Sequence, residues 1–193
     1  MAAEISATSE LNVLQLIQQR SSTKKFAEDP IPKQDIESLL AAAVRAPDHG
    51  MLAPWRFIVL QGEARGVLAR AMQQAFVARN PEASAEMLER EASKAWRSPL
   101  LIVTIARFKP HPKVPEAEQL LATGAAVQNL WLAAAAHGLG LAWKTGSHAY
   151  AAEVRAALSV DSSEQIVGFL HIGKSIAKNQ ARPADFASCT TWL

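Results

Sequence analysis

Apolar positions along this chain follow two rhythms. Some recur at helical spacing, and others run together in short stretches bounded by glycine or proline. Leu11, Leu14 and Ile17 mark a first helix that ends near Arg20, with Ser9 placed to cap its start. RSSTKKFAEDPIP then reads as a loop. Pro32 suits a first helical position, and Ile36, Leu39, Leu40 and Ala43 form the apolar stripe of a second helix that ends before Pro47. WRFIVLQ (55–61) reads as a strand. Gly62 to Arg79 reads as a helix with Val67, Leu68, Ala71 and Ala75 on its inner side. After Asn80-Pro81, EASAEMLEREASKAW alternates charges in the manner of a solvated helix face.

PLLIVTIAR (99–107) is apolar and β-branched throughout, as a buried strand is. KPHPKVP (109–115) is a proline-rich loop. GAAVQNLWLAAAAH (124–137) predicts a helix apolar on most sides, closed by Gly138, of the kind that belongs in a core or a subunit interface; Trp131 is expected in the core. GLAWKTG (140–146) predicts a short strand and turn, Ala151 to Leu158 a short helix, and QIVGFLHIG (165–173) a last buried strand. Four strands interleaved with six helices, without repeat or dividing linker, make a single α+β domain over residues 1–193, with residues 1–9 as a flexible lead.

Composition narrows the class. The chain has 193 residues, 49% of them apolar, enough for one well-buried core. Its net charge of +2 is spread out, with no basic stripe interleaved with aromatics, so nucleic acid is not an expected partner. The N-terminal residues lack the charged and apolar regions of a signal peptide, and the weakly polar run Leu130–Trp143 is too short to span a bilayer. The expectation is a soluble cytoplasmic protein without membrane contact. The single cysteine, Cys189, admits no internal disulfide.

Several catalytic patterns are missing. There is no P-loop, no G-x-G-x-x-G between a strand and a helix, and no G-x-S-x-G elbow. The five histidines are scattered without metal-ligand spacing, and no acid/base pair of carboxylates stands out. Basic and hydroxyl residues at helix ends remain. QRSSTKKF (19–26) gathers Arg20, Ser21, Ser22 and Lys24 where a helix stops. Arginine binds phosphate in bidentate fashion, and lysine offers a point charge to a developing anion. The same residues are equally suited to a helix C-terminus as simple favourable charges. WKTG (143–146) leaves a strand at a glycine, where backbone N–H groups can face a ligand or merely connect. Arg182 precedes Pro183 in the tail. VRAPDHGMLAPWRF (44–57) is an unusually furnished connector, whose His49 could be a contact or a solvated loop residue.

Taken in order, RSSTKKF, RAPDHGMLAPWRF, AAVQNLWLAAAAHGLGLAWKTG and GFLHIGK with a later RP resemble the nitroreductase family of FMN-dependent oxidoreductases, and within it the compact YdjA-like subgroup. The resemblance runs from about Leu11 to Leu193. It implies a mixed β-sheet flanked by helices, an intertwined homodimer, and FMN at the dimer interface touched by both chains. It also implies that Arg20, Ser21 and Lys24, with Ser22 beside them, meet the phosphate, ribityl chain and N1–C2 carbonyl edge of FMN. Arg182 is implied as the C-terminal phosphate arginine. Trp143, Lys144, Thr145 and Gly146 would run along the flavin, and Arg45 and His49 would be FMN contacts, with His49 reaching the partner's flavin. The implied activity passes hydride from NADH or NADPH through FMN to a nitroaromatic, quinone or similar small-molecule acceptor by a ping-pong mechanism, with no side-chain catalyst beyond Lys24 beside N1–C2=O. A flavin-binding or flavin-modifying protein without reductase turnover is the alternative. The chain departs from the common family pattern at Met51 and Ala53, ahead of Pro54-Trp55, at Lys24, where arginine is frequent, and in a short 62–98 segment.

Overall fold

The four strands form one sheet in the order β1-β2-β4-β3. In the computed structural model, which describes residues 13–177, 180, 181, 183 and 185–193, β1 is Trp55–Gln61, β2 Leu100–Arg107, β3 Gly140–Lys144 and β4 Glu164–Gly173. The expected lead 1–9, the capping Ser9, Leu11 and Arg182 lie outside the described residues. All three strand pairings are antiparallel. Among the described residues, the one parallel element is a bridge between Ser22 and Leu141 at the β3 edge, and it alone makes the sheet mixed.

The strands form where the sequence places them because β-branched and apolar runs end at Gly62, Pro99 and Gly173. β2 is buried along its length apart from Arg107, because helices cover both faces of the sheet. Leu100 and Ile102 join Leu141, Leu170 and Ile172 under α2 (Lys33–Ala43) and α5 (Glu116–Ala136). Leu101, Val103, Ile105 and Phe169 face α3 (Arg65–Arg79) and α6 (Ala152–Ala157). A bulge interrupts the β2–β4 register between Thr104 and Ile105, so Thr104 meets Gly168 while Ile105 meets Ile166. The extra residue, Val167, changes the phase of β4 and leaves Ile166 and Phe169 in one core layer.

Several helices differ from expectation. α1 (Val13–Gln19) forms as predicted, but none of its residues is buried: Val13 and Leu14 are each 63% exposed. Pro32 occupies the cap before α2, not its first turn. A 3-10 turn over Gly62–Ala64 precedes α3, and Val67 lies outside while Ala69 and Met72 take the inner face. α5 starts eight residues before Gly124, at Glu116, because Pro115 caps it and Glu116 and Glu118 favour its first turn. α4 (Ala85–Ser93) gives way to a 3-10 turn at Lys94–Trp96, and Glu91 is buried where a solvated face was expected. No helix among the described residues is long and apolar enough to cross a membrane.

Candidate functional site

After α1 the chain turns and runs beside β3 as an irregular extra strand. Thr23 N–H donates to the Leu141 carbonyl at 3.0 Å, and Phe26 bridges Ser175. This close approach needs Gly140: a Cβ there would lie 2.2 Å from Thr23 Oγ1. The QRSSTKKF segment is thereby pinned along the sheet edge, next to α5.

Between that segment, α5 and the end of β3 opens a cavity of about 840 Å³. Arg20, Ser21, Ser22 and Lys24 line one side, Gln128 and Trp131 of α5 form the floor, and Trp143, Thr145 and Gln180 complete it. The Arg20 guanidinium lies 4.4 Å from the centroid of the Trp131 ring. Trp131 is both buried core, as expected, and cavity floor. Trp143 is fixed from below: its indole Nε1–H donates to the Val167 carbonyl at 3.0 Å, the residue freed by the β4 bulge. Gly168 makes room for it, since a Cβ at that position would fall 2.0 Å from the same nitrogen.

Six of the expected residues meet here: Arg20, Ser21, Ser22, Lys24, Trp143 and Thr145. Lys144 pairs with Phe169, so its side chain projects to the other face of β3. Gly146, with φ of +81°, turns the chain from Thr145 into the 3-10 turn Ser147–Tyr150. Arg45 and His49 do not line this cavity. Arg45 is exposed after α2, and His49 Nδ1 lies 2.6 Å from Glu118 Oε2 at the start of α5. Around them the connector is tightly held. Ala53 N–H donates to Asp48 Oδ2 at 2.5 Å, and Lys109 Nζ donates to the Leu52 carbonyl. Met51 and Ala53, where the sequence departs from the common pattern, both have left-handed backbone, with φ of 52° and 45°. Gln128 and Gln180 were not singled out from sequence, and Trp131 was expected only in the core; the three-residue step from Gln128 to Trp131 on α5 is the one signal that could have joined two of them.

A buried polar cluster supports the turn beyond the cavity. His148 Nε2–H donates to Glu91 Oε2 at 2.7 Å, and Lys94 Nζ donates to both Glu91 oxygens at 2.5 Å. Burial pushes the Glu91 carboxyl up, but the hydrogen bonds from Lys94 and His148 outweigh it and leave its pKa below the usual value. Burial holds the His148 pKa down despite Glu91. The pair is therefore a neutral imidazole donating to a carboxylate whose counter-charge is Lys94. It ties α4 to the turn that follows Thr145 and Gly146.

Residues 17–174 match the sequence model of the Nitroreductase family. The chain belongs to that family. "Putative NAD(P)H nitroreductase YdjA" of Escherichia coli (strain K12) is 32% identical over 163 residues, covering 84% of this chain and 88% of that protein. The nitroreductase-like protein of Bacillus cereus superposes with a TM-score of 0.86 at 25% identity, over 97% of this chain and 99% of that one. A Desulfovibrio desulfuricans protein solved in complex with FMN has the same fold, with a TM-score of 0.76 at 22% identity over 96% and 98% of the two chains. In this nitroreductase-family chain the RSSTKKF, AAVQNLWLAAAAHGLGLAWKTG and GFLHIGK segments come together around β3, whereas the 44–57 connector does not line the cavity.

Proposed function

We propose that this protein is an FMN-dependent NAD(P)H oxidoreductase that works as a homodimer and reduces a nitroaromatic, quinone or similar acceptor in ping-pong order. The observation that carries the reading is the chemistry of the cavity at the β3 edge. One side is cationic and hydroxylic, the floor and far side are indole, and among the described residues no carboxylate lines it. Among the described residues neither Arg20 nor Lys24 has an ion-pair partner. That donor set fits a ligand with a dianionic phosphate at one end and a flat ring at the other, and about 840 Å³ is the size of a small-molecule site.

Arg20 offers a bidentate fork to the phosphate, held over Trp131, and Ser21 and Ser22 add hydroxyl donors. Arg182 is proposed as a second phosphate arginine. FMN, when bound, supplies the two-electron chemistry of the reaction. Lys24 places a fixed positive charge where negative charge would gather on the ring edge, a preorganised stabilisation that no solvent need rearrange to provide. Trp131 and Trp143 exclude water from the ring site. Thr145 and Gly146 bring backbone N–H groups to its rim, on a turn braced by Glu91 and His148. Donor and acceptor use this one cavity in turn.

The exposed apolar residues of α1 supply a surface for the second copy, and Arg45 and His49, outside their own cavity, are proposed to contact the partner's. Purified protein should show the visible flavin absorbance band, and anaerobic NADH or NADPH should bleach it in stopped flow. Protein that stays colourless after incubation with FMN would overturn the reading. Flavin that binds but is bleached by neither dinucleotide would leave a flavin-binding protein without reductase turnover.

A further inference from the structure

Adjoining the first cavity, and sharing Ser22 and Lys24 with it, lies a second of about 270 Å³. The strand register sets the two apart. Trp143 pairs with Leu170 of the α5-side core, whereas Ala142 pairs with His171 and Lys144 with Phe169 of the α3 side. Lys24, Arg97 and Lys144 stand around the second cavity with Ser22, His171 is part of its wall, and among the described residues no carboxylate lines it. Among the described residues, none of the three cations has an ion-pair partner. Like charges gathered without a counter-ion repel one another, and their summed field makes the cavity attractive to an anion.

His171 lies at the centre of this arrangement. Burial, and then the charges of Arg97 and Lys144, push its pKa down to about 4, so the ring is neutral near pH 7. Ser98 Oγ donates its proton to the Leu100 carbonyl at 2.8 Å and must therefore accept from His171 Nδ1–H at 3.1 Å. Nε2 is left as a bare acceptor, and the positive charge of the site rests on Lys24, Arg97 and Lys144.

We infer that this second cavity binds an oxyanion, the phosphate or carboxylate group of a small molecule, at a site that adjoins the first cavity through Ser22 and Lys24 and adds Arg97 and Lys144, which the first cavity lacks. Because Lys24 is shared, the inference rests on Arg97 and Lys144, which line the second cavity and not the first, and so it does not depend on FMN in the first. Arg97 is its best probe, because it is exposed and lines only the second cavity.

The test is calorimetric titration of inorganic phosphate into the full-length protein at constant ionic strength, with chloride as the balancing anion. Phosphate binding is expected to weaken at least tenfold in Arg97→Gln, to recover largely in Arg97→Lys, and to stay within twofold in Arg20→Gln. Absence of binding to the unaltered protein overturns the inference, as does loss in Arg20→Gln, alone or together with Arg97→Gln, because the ion would then lie in the first cavity. Flavin absorbance of Arg97→Gln, expected to match the unaltered protein, separates failure here from failure of the oxidoreductase reading. Steady-state kinetics of Arg97→Gln then identify the source. A KM raised for NADPH and not for NADH assigns the oxyanion to the dinucleotide's 2′-phosphate. A KM raised only for a carboxylate-bearing acceptor assigns it to the acceptor, and unchanged values assign it to a free anion.

Discussion

Gly168 gives the most direct test of how the cavity wall is built. In Gly168→Ala the new methyl group would sit 2.0 Å from Trp143 Nε1 and 2.4 Å from Cδ1, with the Lys144 carbonyl 3.2 Å away on the other side. The indole has to retreat by more than about 1 Å, in an interior that has few voids to take it up. Overpacking of this kind costs about 1–3 kcal/mol, and losing the Nε1–H bond to the Val167 carbonyl adds about 1 kcal/mol. In a protein of this size a loss of about 2–4 kcal/mol lowers Tm by roughly 5–15 °C. Thermal unfolding of four proteins completes the test: the unaltered chain, Gly168→Ala, Trp143→Ala and the double variant. Without the indole the two shortest contacts are gone and the Lys144 carbonyl oxygen at 3.2 Å remains, so in the Trp143→Ala background the Gly168→Ala cost should fall to about 1 kcal/mol or less. Equal Tm losses in both backgrounds would show that Gly168 serves the backbone of β4 and not the seat of Trp143.

Other outcomes follow from the buried polar groups and the strained connector. His171 has its folded pKa lowered from 6.5 to about 4, so between those values the unfolded chain binds more protons. Its stabilising effect is full above about pH 6.5 and lost on acidification, costing about 2 kcal/mol between about pH 7 and pH 5; urea unfolding in an oxyanion-free buffer should show His171→Phe without that share of the acid slope, and an unchanged slope would refute it. Glu91→Ala leaves His148 buried without its acceptor and should cost roughly 2–4 kcal/mol in urea unfolding; a loss under about 1 kcal/mol would show that the cluster is no clamp. Met51 is 91% exposed with φ of 52°, so Met51→Gly relieves left-handed strain and should stabilise by about 1 kcal/mol, whereas a lower Tm would contradict that backbone.

What the sequence revealed depended on how local each signal was. The β1, β2 and β4 strands ended where proline, glycine or a charged residue ended an apolar run, but their order and register, with the bulge between Thr104 and Ile105, were not legible there. Six cavity residues were legible because short motifs keep them adjacent in the chain. Glu91 was not legible. Its charge pattern is that of a solvated helix, and the His148 that accounts for its burial lies 57 residues away. His171 was likewise one scattered histidine among five, until β4 brought it between Arg97 and Lys144. The early start of α5 was obscured because Gly124 broke the apolar pattern, while the true start carried acidic residues that favour a helix N-terminus. Met51 and Ala53 were visible as departures from a family pattern, but only the backbone shows that both sit in a conformation L side chains rarely adopt.

The bare outer surface of α1 has a consequence for how this protein behaves on dilution. A seven-residue helix with no buried side chain cannot hold its own order in water. Contact with α5 supplies part of that order, the second copy of the proposed homodimer would supply the rest by covering Val13, Leu14 and Ile17, and Arg20 is the first residue beyond the helix end. When the cover leaves, the tether on Arg20 slackens and the guanidinium loses its fixed place over Trp131. In the proposed homodimer, ligand affinity at this cavity would then be a function of protein concentration, and binding constants measured on nanomolar and micromolar samples of the same chain would differ.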